Sequence, residues 1–185
     1  MPNIDLTKCW ITGAPPQAAP LEADINEHGS LIAFQMHAVR FIEAWLPLAP
    51  VINQTRSNIV TYADKKTVIS DVAKTLRSIG LSMVVGLENG TRKSAMIHAV
   101  AFDPFTFVVN IAENPVTNRS SRGSGITASA VAEQVMFCFA GAQLGNGSCS
   151  IRSFVTGGEE GTLQTAEVKI STAYTIMPSA SLMTE

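Results

Sequence analysis

Hydrophobic and polar positions change period several times along the chain, and each change marks an element. Phe105, Phe107, Val109 and Ile111 alternate with Thr106, Val108, Asn110 and Ala112, the period-two pattern of a strand buried mainly on one face. The next thirteen positions, Glu113 to Gly125, hold almost nothing apolar and carry Pro115, Asn118, Gly123 and Gly125, which predicts a long polar loop. The spacing then becomes helical. Ala128, Val131, Val135, Cys138 and Ala142, with Phe139 beside them, form an apolar stripe over about Thr127 to Ala142; Thr127 or Ser124 can supply the N-cap oxygen, and Gly141 and Gly145 tolerate a left-handed turn at the far end. Ile151 to Val155 reads as a short strand and Gly157 to Gly161 as an exposed turn with Glu159 and Glu160 at its tip. In the last strand Ala166, Val168, Ile170, Thr172, Tyr174 and Ile176 alternate with polar or small residues, so one face of the sheet is wet or polar-packed.

Upstream, Val68, Val72, Leu76 and Ile79, flanked by Ile69 and Ala73, predict an amphipathic helix that starts after Asp64 or Thr67 and stops at Gly80. Leu81 to Gly86 is a strand, Asn89-Gly90 carries the short hairpin signal, and a partner strand is expected from about Lys93 to Phe102, turned by Asp103-Pro104 into the Phe105 strand. Leu31, Phe34, Ala38, Phe41, Ile42 and Trp45 have helical spacing between Ser30 and Pro47; Ile32, Phe34, Met36 and Ala38 also alternate, so a strand start stays open there. Asn3 to Pro20 is rich in Pro and Ala and reads as an extended arm. The order of elements gives an α+β fold: one compact domain with a mainly antiparallel sheet flanked by two or three helices, plus an N-terminal arm. The expected division is an appendage over 1–62 that grips a neighbour, the α+β domain over 63–177, and a tail over 178–185.

Charge narrows the partners. With 15% charged residues and net charge −2, a general binder of nucleic acid or of an acidic membrane is disfavoured, and protein partners are expected. The 46% apolar content includes no run near twenty residues, so no membrane span is expected, and the content itself suggests surface covered by other subunits. Residues 1–10 lack the apolar core of a secretory signal, which predicts a protein that stays where it is made. The three cysteines, 9, 138 and 149, have neither disulfide-framework nor zinc spacing.

Few motifs carry chemistry. Gly123-Ser124-Gly125 ahead of a helix could cradle an anion, but position 128 is Ala128, so the dinucleotide pattern fails, and no P-loop Lys follows. Cys9, His98 and then Asp103 or Asn110 follow the chain order of a papain-like cysteine hydrolase, yet Ile11-Thr12-Gly13-Ala14-Pro15-Pro16 cannot open the helix that would lower the thiol pKa. No metal site, cofactor or paired carboxylates are expected. Arg119 and Arg122, with Asn114 and Asn118, form the most function-like cluster, because Arg and Asn satisfy carbonyls and carboxylates on a partner surface.

The run Val109-Asn110-Ile111-Ala112-Glu113-Asn114-Pro115, followed by Asn118-Arg119 and by Gly123-Ser124-Gly125 before an Ala-rich helix, resembles the tail-completion and tail-terminator proteins of tailed phages over roughly residues 64–176. The resemblance implies a non-enzymatic virion subunit, made in the host cytoplasm, that assembles as a homo-oligomeric ring, typically six-fold, at the end of the tail tube. Its partners would be copies of itself and tube, sheath or neck proteins, with DNA crossing the lumen but not read in sequence. A head-to-tail ring contact joins unlike patches. Asn114, Asn118, Arg119 and Arg122 are the candidates for one patch, and Glu159 and Glu160 for its counterpart.

Overall fold

The structure is a computed structural model that describes residues 9–10, 16–52, 59–96, 99–158 and 162–176. The N-terminal part holds two short segments of chain and a helical layer: α1 (Glu22–His28), α2 (Ser30–Ala44), a 3-10 turn at Leu46–Leu48 and α3 (Ala49–Ile52). Then come β1 (Val60–Tyr62), α4 (Val68–Ser78), β2 (Leu81–Met96), β3 (Ala99–Glu113), α5 (Pro115–Asn118), α6 (Ala128–Phe139), the small hairpin β4 (Gln143–Leu144) and β5 (Gly147–Ser148), β6 (Ser150–Gly157) and β7 (Gln164–Ile176). The main sheet has the order β1-β2-β3-β7-β6; β1 runs parallel to β2 and every other pair is antiparallel. This is an α+β fold with a mainly antiparallel sheet.

The register sorts the side chains onto two faces. Met83, Ile111 and Ala166 lie in one row, Val85, Val109 and Val168 in the next, and Leu87, Phe107 and Ile170 in the third. That face carries the core, covered by α2 and α6. Phe34 of α2 sits edge-on to Phe105 and Phe107, with ring centroids 5.1 and 5.3 Å away, and 4.6 Å from Tyr174. Phe41 joins Trp10, His37 and Phe139. Tilted and edge-on aromatic pairs of this kind add roughly 0.5–1.5 kcal/mol each beyond the area they bury. The Tyr174 hydroxyl keeps its hydrogen bonds in the core by meeting Ser30, its Oγ at 2.7 Å and its carbonyl at 2.8 Å.

Three expectations are corrected here. Among the described residues of the 1–62 segment, expected as an appendage to a core that begins at 63, several belong to that core. Phe34, Phe41, Ile42 and Trp45 are fully buried in the same cluster as β2, β3, α6 and β7, so α2 is a wall of the core. Its helical spacing, not the competing alternation, is what the fold uses. Asn89-Gly90 makes no turn either: β2 runs through it, Asn89 opposite Thr106 and Gly90 opposite Phe105, with register shifts on both sides. Gly90 is there for room, because a Cβ at this position would lie 2.7 Å from the Phe102 ring. Asp103-Pro104, read as a turn, lies inside β3 at the one register shift against β7, where a residue without an N–H does not break the ladder.

Candidate functional site

The long polar segment after β3 folds around one side chain. Asn118, with no exposed surface, donates from Nδ2 to Glu113 Oε1 at 2.9 Å and to the Ile126 carbonyl at 2.8 Å, and accepts from Ser124 Oγ at 3.0 Å. Its backbone carbonyl accepts from Gly125 N. The buried Glu113 carboxylate then reaches Ala128 N with Oε2 at 2.8 Å, satisfying an amide at the N-terminus of α6, where the helix dipole favours negative charge. Thr127 Oγ1 accepts from Ala130 N at the same end. Asn114 opens α5, its Oδ1 accepting from Thr117 N at 3.4 Å, and its own N–H donates to the Gly80 carbonyl.

Two glycines make this closeness possible. A Cβ on Gly80, at φ +83°, would lie 2.3 Å from Asn118 N, and one on Gly123 would lie 2.0 Å from Asn118 O. Backbone packs directly on backbone at both points, so the segment is a fixed platform and not a slack connection.

That platform separates the candidate interface residues. Asn118 cannot touch a partner, because it is buried and its hydrogen bonds are spent inside the loop; Asn114 is half-buried and holds α5. Arg119 and Arg122 are exposed, and neither forms an ion pair with a described residue. Val116, on the same short turn as Arg119, is 76% exposed. Glu159 and Glu160 lie outside the described residues. Glu113, which ties strand, loop and helix together, was not legible as a functional position: its partner Ala128 is fifteen residues away and no local motif links them.

The second surface is the sheet face that α2 and α6 leave open. Two rows cross it: Ser82, Ala112, Thr165 and Gly157, and beside them Val84, Asn110, Glu167 and Val155. With Val72 of α4 as a wall they line a groove of about 500 Å³. Ser82 is 1% exposed and its hydroxyl has no hydrogen-bond partner among the described residues. Further along the same face Lys169 pairs with Glu88 and stands 3.7 Å from Glu167; the Glu88 contact raises the lysine pKa. This ion network was not anticipated, although Glu167 and Lys169 share the polar face of the final strand.

The thiols and imidazoles are placed as packing groups. Cys138 donates toward the Phe41 carbonyl at 3.6 Å, and burial pushes its pKa well up; burial pushes Cys149 up to about 12. Neither is a thiolate near neutrality. Cys9 is half-buried beside the core cluster, and His98 lies outside the described residues. His37 is buried, and that burial lowers its pKa although the carbonyls of Gln17 and Ala18 accept from the ring; Nε2 has no partner among the described residues. Among the described residues no three His, Cys, Asp or Glu side chains cluster as metal ligands, and no helix is long and apolar enough to cross a membrane.

Comparison with known proteins adds little to this geometry. No family model matches the chain, and no curated protein matches it. Among solved structures, a protein from Akkermansia muciniphila aligns at 12% identity over 80% of this chain and 79% of its own, with a TM-score of 0.31. Another from the same organism, solved without its transmembrane region, aligns at 12% identity over 81% of this chain and 88% of its own, with a TM-score of 0.29. At these scores neither likeness bears on function.

Proposed function

We propose that the chain is a structural subunit of a tailed-phage virion, assembling as a ring at the end of the tail tube and joining it to the neck. The observation that carries this reading is a rigid loop bearing exposed cations that no described residue pairs. Buried Asn118 and Glu113 fix the backbone of residues 113–127, while Arg119, Arg122 and Val116 point away from the fold. A loop backbone held this way loses little further freedom on docking, so the ordering cost is confined to the arginine side chains themselves. The resemblance of residues 64–176 to tail-completion and tail-terminator proteins supplies the setting, and the open sheet face offers a second, unlike surface of the kind that a rotationally symmetric contact needs. With Glu159 and Glu160 outside the described residues, Glu167 and Glu88 are the acidic groups on that face.

Replacing Arg119 and Arg122 together by Ala tests the reading. Both side chains are exposed and form no ion pair with a described residue, so the melting temperature of the monomer holds within about 2 °C. Assembly falls at least tenfold, the loss expected when a charge-assisted contact worth about 1.5–3 kcal/mol disappears at the interface. Assembly at the wild-type level would overturn the assignment of this loop.

A further inference from the structure

Strand β6 is the outer strand of the main sheet, and no described strand lies beyond it. Its ladder to β7 is regular from Ser153 to Gly157 and interrupted by a bulge at Arg152. From Arg152 to Gly157 every residue is exposed, on both faces, with Phe154 at 42% and Val155 at 57%. Ile151, at the start of the strand, packs against the core, but from Arg152 on the strand is open, and nothing among the described residues blocks a second strand from approaching its free backbone groups. Edge strands in soluble proteins are normally blunted by proline, by several charges or by brevity. This one has eight residues, no proline and a single charge, Arg152, confined to the bulge.

We propose that β6 pairs antiparallel with β6 of a second copy of this chain, about a two-fold axis at Phe154, so that two five-stranded sheets become one. Side chains alternate with period two, so residues facing each other across the new ladder must lie on the same face, and the axis passes through a single residue. Centring on Arg152 would set like charges opposite each other, which is destabilising. Centring on Phe154 sets Phe154 on Phe154, Ser153 opposite Val155 and Arg152 opposite Thr156. That arrangement covers two exposed apolar side chains and opposes no charges.

The other free backbone edge of the sheet, β2 beyond Leu87, is a poorer occupant. Full antiparallel overlap there would bring Arg152 against the exposed Arg92 and Lys93. The remaining edge strand, β1, has only three residues. The two-fold contact is independent of the ring contact proposed for the 113–125 loop: it is isologous, whereas a ring needs unlike patches. Loss of one leaves the other in place.

Two measurements on the full chain decide it. Sedimentation of the Arg119→Ala/Arg122→Ala chain, in which the ring contact is removed, is expected across a concentration series to show a dimer that dissociates on dilution, and adding Phe154→Lys is expected to raise its dissociation constant at least tenfold with an unchanged melting temperature. Directly opposed antiparallel residues have Cα atoms roughly 4.5–5.5 Å apart, inside the range a disulfide spans. In a Cys9→Ser background, Phe154→Cys is therefore expected to give a covalent dimer with diamide, while Leu163→Cys, equally exposed but off the axis, does not. A ring-deficient chain that stays monomeric, a Phe154→Lys version of it that dimerises as tightly as its parent, or equal cross-linking at 154 and 163 would each overturn the pairing. Loss of the Phe154 cross-link with ring assembly intact would count against this contact alone. The cross-link remains readable if Phe154→Lys fails to fold.

Discussion

Asn118 spends both amide hydrogens and its carbonyl oxygen inside the loop, and one of its partners is a buried carboxylate. Replacing it by Ala leaves Glu113 Oε1 buried without that donor. The expected cost is roughly 2–3 kcal/mol, about 4–12 °C in melting temperature for a chain of this size. Asn118→Asp should be worse, since it sets a second carboxylate against the first, and a thermal melt of the two variants checks the order. His37 makes a different kind of prediction. Burial holds its folded pKa below the ordinary value of 6.5, so the unfolded chain takes up the proton first as the solution is acidified. The stability is whole above about pH 6.5 and is lost as pH falls through that value toward the lower folded pKa. The groups facing the ring, Arg40 and Asp24, act in opposite directions and leave burial in charge. His37→Asn, whose amide can still donate to the Gln17 and Ala18 carbonyls, should flatten the melting temperature between pH 7 and pH 5. A slope as steep as wild type would show that another group is responsible.

At the scale of elements, α2 is the piece whose role differs most from expectation. It contributes Phe34, Phe41 and Ile42, all without exposed surface, and truncating a single buried Phe costs about 3–5 kcal/mol. A chain that starts at residue 63 should therefore be unfolded by circular dichroism, and a cooperative melt from that fragment would contradict the packing described above. The helices were legible because their stripes are long: the spacing of Ala128, Val131, Val135 and Cys138 matches the buried face of α6, and Gly80 does mark the stop of α4. The final strand was legible too, its alternating residues falling on two faces as the pattern required. What local pattern could not reveal depended on contacts distant in sequence. Asn-Gly reads as a turn from its own chemistry, but at Gly90 it is the Phe102 ring of the neighbouring strand that demands glycine. The segment 113–125 is polar because it folds around a buried Asn, and composition cannot distinguish that from a solvated loop. Arg119 and Arg122 were visible as candidates, whereas the groove on the open face needs the register of four strands and had no sequence signal.

For the whole molecule, one face of the sheet is filled by aromatic packing and the other is left to a short row of small side chains, a groove and an ion network. The proposed ring would use the fixed basic loop and the partly open sheet face as its two unlike surfaces, and the ring reading stands or falls on that. Native mass spectrometry of the purified full chain tests it most directly. The expected result is a closed oligomer, six subunits or a multiple of six, that is depleted at least tenfold when Arg119 and Arg122 are replaced by Ala. Nothing larger than monomer and the two-fold pair, at any concentration, would contradict it.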